Sequence, residues 1–163
     1  MDNYKFMPLT DIDLAEASKL YENSIKDNPK GFIQDIDFHG SLNKMNTDFT
    51  KDNGGVFLLR NDLEIIGIGA LRNDQNNEVE ICKLHVKPKY KGKGLGRRLA
   101  DELMQEARKR NYKKMNLHVT KTQTAAIGLY GKLGFTKYHE QVYTVNTNGK
   151  DEYFDTVLMN RML

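Results

Sequence analysis

The sequence holds one cysteine, Cys82, in 163 residues, so no disulfide can form within the chain and a reducing compartment fits. No apolar run approaches the length that crosses a bilayer. Residues Met1 to Thr10 lack the hydrophobic segment of a secretory signal, and a cytoplasmic location is expected. The histidines are His39, His85, His118 and His139; none pair at metal-ligand spacing, so no metal is expected. Repeats, low-complexity tracts and linkers are also missing, and residues 1–163 read as one domain. The net charge of +3 is too small to imply a nucleic-acid or membrane partner by itself. With 39% hydrophobic and 29% charged residues, disorder is not indicated.

What is present is an ordered series of strand and helix patterns. Tyr4, Phe6 and Pro8 predict a short strand. Thr10 is placed to cap a helix with Asp11 and Asp13 in its first turn, burying Leu14, Ala17, Leu20 and Tyr21. Between Glu22 and Asn53 there is only a break at Pro29-Lys30-Gly31 and a weak helical pattern after it. From Gly55 the signal sharpens. Val56–Leu59 and Leu63–Leu71 read as strands around an Asn61-Asp62 turn, and Val79–Val86 as a third strand stopped by Pro88. The helix opened by Gly92 to Gly96 puts Leu95, Leu99, Leu103, Met104 and Ala107 on one face. Met115–Val119 reads as a strand and Thr124–Lys132 as a helix ended by Gly134. Val142–Val145 and Phe154–Met159 flank Asn148-Gly149, a strong hairpin signal. The order β-α-(α)-β-β-β-α-β-α-β-β describes one α/β domain.

One strand breaks its own pattern. Val79 and Ile81 take odd positions, whereas Leu84 and Val86 take even ones. A regular strand keeps one parity per face. Either a β-bulge lies near Cys82-Lys83, or the strand is buried on both sides.

The segment Tyr90-Lys91-Gly92-Lys93-Gly94-Leu95-Gly96 joins that strand to the next helix. Its glycines let the backbone approach a ligand, and the helix adds its positive dipole end, a combination suited to phosphate oxygens. Lys83, Lys87, Lys89, Lys91, Lys93, Arg97 and Arg98 fall between positions 83 and 98 without one acidic residue. A polyphosphate ligand would account for that excess. A Walker A loop does not fit, because Gly94 follows Lys93 where Ser or Thr is required. A dinucleotide site does not fit either, because the next strand ends His118-Val119-Thr120 without an acidic residue. On the glycines alone, a solvated basic turn stays open.

Together these segments resemble the GNAT superfamily of N-acetyltransferases. That family carries Leu-x-Val, then Pro, then Arg/Gln-x-x-Gly-x-Gly/Ala opening a helix; here Leu84-His85-Val86-Lys87-Pro88 precedes Lys91-Gly92-Lys93-Gly94-Leu95-Gly96. A second signature, Asn-x-x-Ala-Ile-x-Leu-Tyr-x-Lys-x-Gly-Phe, is met by Gln123 through Phe135, with Ala126-Ile127, Leu129-Tyr130, Lys132 and Gly134-Phe135 in place. Lys91 stands where Arg or Gln is usual and Gln123 where Asn is usual. The first departure keeps a donor and loses a bidentate fork.

The resemblance implies a central mixed, mostly antiparallel sheet flanked by helices, with two strands splayed to admit pantetheine. It implies acetyl-CoA as co-substrate. Cofactor contacts would come from Leu84, His85 and Val86 on the strand, and from Lys91, Gly92, Lys93, Gly94, Leu95, Gly96 and Arg97 around the loop. Gln123, Ala126 and Tyr130 would add contacts from the second motif. Glu80 stands where relatives often carry a glutamate base, acting directly or through water, and Tyr130 where they carry the general acid. As plain residues, Glu80 also reads as an exposed strand carboxylate and Tyr130 as a core tyrosine. Cys82, with no visible base partner, reads as core; His85 and His118 lie on neighbouring strands that can approach the cleft.

The expected acceptor is a primary amine of a small molecule or peptide, with no nucleic acid and no membrane as partner. Its pocket, by resemblance, is built from Tyr21 to Asn53 and from the last hairpin. Glu22, Asp27, Asp35, Asp37 and Asp48 outnumber Lys26, Lys30 and Lys44 there, a mild bias toward a cationic amine. Two other readings stay open. One is a non-catalytic acyl-CoA-binding sensor. The other is a nucleic-acid surface on Lys83–Arg98, against which stands Tyr90 as the lone interleaved aromatic. Exposed terminal strands leave a homodimer possible.

Overall fold

The computed structural model describes residues 3–28, 31 and 39–163. Asp35, Asp37 and Lys30 of the predicted acceptor segment, and the break at Pro29, lie outside them. Seven strands form one sheet: β1 (Lys5–Pro8), β2 (Gly55–Arg60), β3 (Ile65–Asn73), β4 (Glu78–Val86), β5 (Lys114–Thr120), β6 (Thr136–Thr147) and β7 (Lys150–Met162). Their spatial order is β1-β2-β3-β4-β5-β7-β6. The helices are α1 (Leu14–Lys26), α2 (Leu42–Lys51), α3 (Leu95–Lys109) and α4 (Thr124–Lys132). The predicted α/β order is the observed one.

Alternation in β2 feeds two cores, one on each face of the sheet. Phe57 and Leu59 pack with Leu99, Leu103 and Ala107 of α3. Val56 and Leu58 pack with Ala17, Leu20, Tyr21 and Ile25 of α1 and Leu42 of α2. Among the described residues, no helix is long and apolar enough to cross a membrane.

Every neighbouring pair of strands is antiparallel except β4 and β5, which run parallel. That pairing covers only Glu78–Glu80 against Lys114–Asn116. Beyond Glu80 the two strands part, and the β5-facing edge of β4 has no strand partner. This is the splay that the resemblance implies.

The bulge reading of β4 is the right one. Ile68 pairs with His85 and Ala70 with Cys82, so Lys83 and Leu84 together face Gly69 alone. Lys83 takes φ +57°, and the parity switch from Ile81 to Leu84 follows from the inserted residue.

Four element boundaries differ clearly from expectation, among them β7, which runs Lys150–Met162 and not Phe154–Met159. Helix α1 begins at Leu14, with residues 11–13 in a preceding turn. Thr10 Oγ1 donates to Asp13 Oδ2 (3.2 Å), so it does not cap the helix. Asp13 in turn accepts from Arg60 (2.7 Å). Strand β3 begins at Ile65 because Asn61 Oδ1 accepts the N–H groups of Leu63 and Glu64 (2.9 and 2.8 Å), leaving Leu63 in the turn and 90% exposed. Strand β6 extends well beyond Val142–Val145. It is a mostly exposed edge strand held by its ladder to β7, so hydrophobic pattern could not mark its length. Its turn is as predicted, with positive φ at Asn148 and Gly149.

Candidate active site

The parting of β4 and β5 opens a cleft of about 1210 Å³. Leu84, His85 and Val86 form one wall, and Lys91, Gly92, Gly94, Leu95 and Gly96 close the loop end. Gln123, the N-cap of α4, and Ala126 and Tyr130 within it stand opposite. These are expected cofactor residues, brought together from three stretches of chain. Lys93, Arg97 and Glu80 are not on the wall; Lys93 and Arg97 are exposed beside residues that are. Helix α1 and its C-cap add a stripe at helical spacing: Glu16, Lys19 and Leu20, which sequence reasoning did not assign to this site, then Asn23 and Asp27, from the segment expected to build the acceptor pocket.

The loop carries the clearest local feature. Gly92 and Gly94 both take φ +77°, the left-handed region that a side chain disfavours. Gly94 is the N-cap of α3 and supplies no side-chain cap; the first helical bond is Arg98 N–H to Gly94 O (3.1 Å). Among the described residues, the backbone N–H groups of Gly92 through Arg97 have no protein acceptor. Six successive open amides at a helix N-terminus form an anion cradle.

The cationic excess is smaller than the sequence implies. Glu64 accepts from Lys87 Nζ (2.7 Å) and Tyr90 Oη (2.6 Å) and pairs with Lys89 (2.5 Å). Those bonds, Lys87 first, then Lys89 and Tyr90, pull its carboxyl down to about 2. Arg98 lies near Glu102 (4.0 Å) and donates to Tyr4 O (3.1 Å). Lys83, Lys91, Lys93 and Arg97 are left without a carboxylate partner among the described residues. Glu64 sits in the β2–β3 turn, 19 residues before Lys83, and no local pattern ties it to the loop.

Tyr130 is buried on α4, edge-on to Phe135 with ring centroids 5.7 Å apart. Burial, with a smaller effect of Cys82, raises its pKa well above the ordinary phenol value, so the hydroxyl keeps its proton. Its hydroxyl has no protein partner among the described residues. His85 is neutral at physiological pH: burial, then Lys83, Lys91 and His39, brings its pKa to about 3. Gln123 Nε2 donates to Thr120 Oγ1 (2.8 Å), folding the longer side chain back on its own turn. Burial raises the Cys82 thiol to about 12, in keeping with a core residue and not a nucleophile.

Glu80 is buried, not exposed, and ion-paired with Arg72. Its Oε1 lies 3.9 Å from His118 Nδ1. The His118 ring stacks on Tyr143 (6.0 Å, 19°). Those two rings line a second cavity of about 240 Å³ with His39, Thr120, Phe154 and Thr156. Gln123 borders both cavities. Among the described residues, no three His, Cys, Asp or Glu side chains are grouped to hold a metal ion.

Comparison with known proteins agrees with this geometry. An uncharacterized N-acetyltransferase of Dictyostelium discoideum is 35% identical over 69 residues, covering 42% of this chain and 32% of that protein. Escherichia coli YjgM, an uncharacterized N-acetyltransferase, is 29% identical over 98 residues, covering 58% of this chain and 59% of its own. The chain thus matches less than two thirds of either relative's length. The structure of yncA from Salmonella typhimurium, solved with its cofactor acetyl-CoA, superposes with a TM-score of 0.79 at 20% identity, covering 98% of this chain and 94% of that one. The profile of the Acetyltransferase (GNAT) family matches residues 16–135, well over half of the sequence, and the chain belongs to that family.

Proposed function

We propose that this chain transfers an acetyl group from acetyl-CoA to a primary amine, directly, in a ternary complex. The observation that carries the reading is the cradle of open amides from Gly92 to Arg97, set at one end of the cleft between β4 and β5. The pyrophosphate takes the amides and Lys91, and pantetheine runs along the unpaired edge of β4 past Val86 and Leu84. The structure of yncA, similar in fold, was solved with acetyl-CoA as its cofactor, which supports this reading.

An alkyl amine has a pKa near about 10.4 and arrives protonated. Glu80 is held by Arg72 and stands off the cleft wall, so it takes the proton through water. The freed nitrogen attacks the thioester carbonyl, whose developing charge meets a backbone N–H of the bulge at Leu84 or Val86. The carbon–sulfur bond breaks, and Tyr130 passes its proton to the departing thiolate. The second proton, lost by the acylated nitrogen, returns Tyr130 to the phenol through water. The raised pKa of Tyr130 suits a donor that stays protonated until sulfur is in contact. The second cavity, with Tyr143 and Phe154 from the last hairpin, is the acceptor's side of the site. The test is CoA thiol release by the purified chain with acetyl-CoA and a panel of amines. Amine-dependent release with an acetylated product supports the transferase. Binding of acetyl-CoA with no release for any amine supports a sensor module instead.

A further inference from the structure

Lys83 is the residue that the bulge inserts into β4, and it holds φ +57°, where glycine is the usual occupant. Its side chain lies half-buried on the α1 side of the sheet, with Nζ 5.8 Å from the centroid of the Tyr21 ring. The Tyr21 hydroxyl is buried and has no hydrogen-bond partner among the described residues. That contact with the ring face offsets part of the cation's desolvation, whereas the unmatched buried hydroxyl is left unfavourable.

Among the described residues, the charges around Lys83 do not balance. Arg72 and Glu80 pair with each other, while Cys82 and His85 are neutral. Lys83 has no carboxylate within ion-pair distance among the described residues. Desolvation lowers its pKa, as expected for a cation without a counter-charge. Burial raises the Tyr21 phenol to about 12, so it remains a donor. Asp48, from the acidic stretch, is taken by Lys44 (2.6 Å). The place is beside the chemistry: Leu84 follows Lys83, and Leu20 and Ser24 flank Tyr21 on α1, and all three line the cleft.

We propose that Lys83 and Tyr21 form a receptor for a carboxylate, so that the acceptor is an amino acid or a similar small amine carrying an acid. The ammonium neutralises the anion and the phenol donates to one of its oxygens. A polyamine would bring a second positive charge to a site that already has one in excess. This proposal rests on the transferase reading.

The experiment measures kcat/KM of the purified chain with acetyl-CoA and L-amino acids, their primary amides and the corresponding decarboxylated amines. Acetyl-CoA binding is titrated in parallel. For the best side chain, the acid is expected to exceed its amide by about tenfold or more. Lys83→Met lowers that acid-to-amide ratio by about tenfold, and Lys83→Arg retains it within about threefold. Both variants are expected to bind acetyl-CoA as the parent does, which shows them folded. Should Lys83→Met not bind it, Tyr21→Phe lowers the same ratio and decides the matter. Equal use of acids and amides, or preference for polyamines, overturns the carboxylate receptor while the transferase stands. No release with any amine overturns both.

Discussion

In the proposed mechanism Tyr130 and Glu80 divide the proton transfers, and substitution tests each of them. Tyr130 is a buried residue lining the cleft, with no partner to its hydroxyl among the described residues, so Tyr130→Phe removes the proposed acid with little change in packing. Turnover is expected to fall by more than about threefold, a barrier increase above about 0.7 kcal/mol, with acetyl-CoA affinity nearly unchanged. Glu80→Gln should reduce turnover likewise; a steady-state rate within threefold of the parent for either variant removes that residue from the mechanism. Glu64 acts at a distance, by holding Lys87, Lys89 and Tyr90 at the root of the loop. Its pKa falls from 4.5 to about 2 on folding, so its stabilising contribution is present above pH 4.5 and is lost as pH falls through 2. Thermal melts of the parent and Glu64→Gln should therefore differ at neutral pH and converge as the pH drops across that window. A constant difference would contradict it. Glu64 was not legible in the sequence because ion pairs across a sheet leave no local spacing, whereas Tyr130 stood inside a recognisable motif.

Among the elements, β4 decides the site, and its neighbour β3 decides β4. Gly67 lies against it so closely that a Cβ would meet the His85 carbonyl oxygen at 2.8 Å. That oxygen belongs to the backbone and cannot swing away. Gly67→Ala is expected to push β4 outward at His85–Val86, lower stability by about 1–3 kcal/mol and weaken acetyl-CoA binding. A melt and a titration check both; an unchanged affinity would mean that the β4 edge is not the pantetheine contact. The bulge was readable because hydrophobic parity changed between Ile81 and Leu84. The start of α1 was not, since Thr10 bonds to Asp13, and Asp13 to Arg60, in ways only the fold arranges. Helix α2 was the faintest element, for its buried side is narrow: Leu42 alone is fully buried, with Met45 and Phe49 partly so.

At the scale of the molecule, two hydrophobic cores grip the sheet from both faces and hold β4 and β5 apart at one end. The order of elements was legible throughout because each core-facing stripe repeats at its own period. The acceptor side was not, because Tyr21 to Asn53 carries no strong periodicity and its role depends on what it faces. The central claim is that the open amides at the start of α3 bind the pyrophosphate of acetyl-CoA. A Cβ at Gly94 meets nothing within 4 Å, so glutamate fits sterically there, at the strain of φ +77°, and sets a carboxylate among the amides. Calorimetric titration with acetyl-CoA, beside Gly94→Glu, tests the claim most directly. The account predicts binding near micromolar strength in the parent, a free energy of about −8 kcal/mol, and none measurable in the variant despite a cooperative melt. No binding by the parent, or equal binding by both, would contradict it.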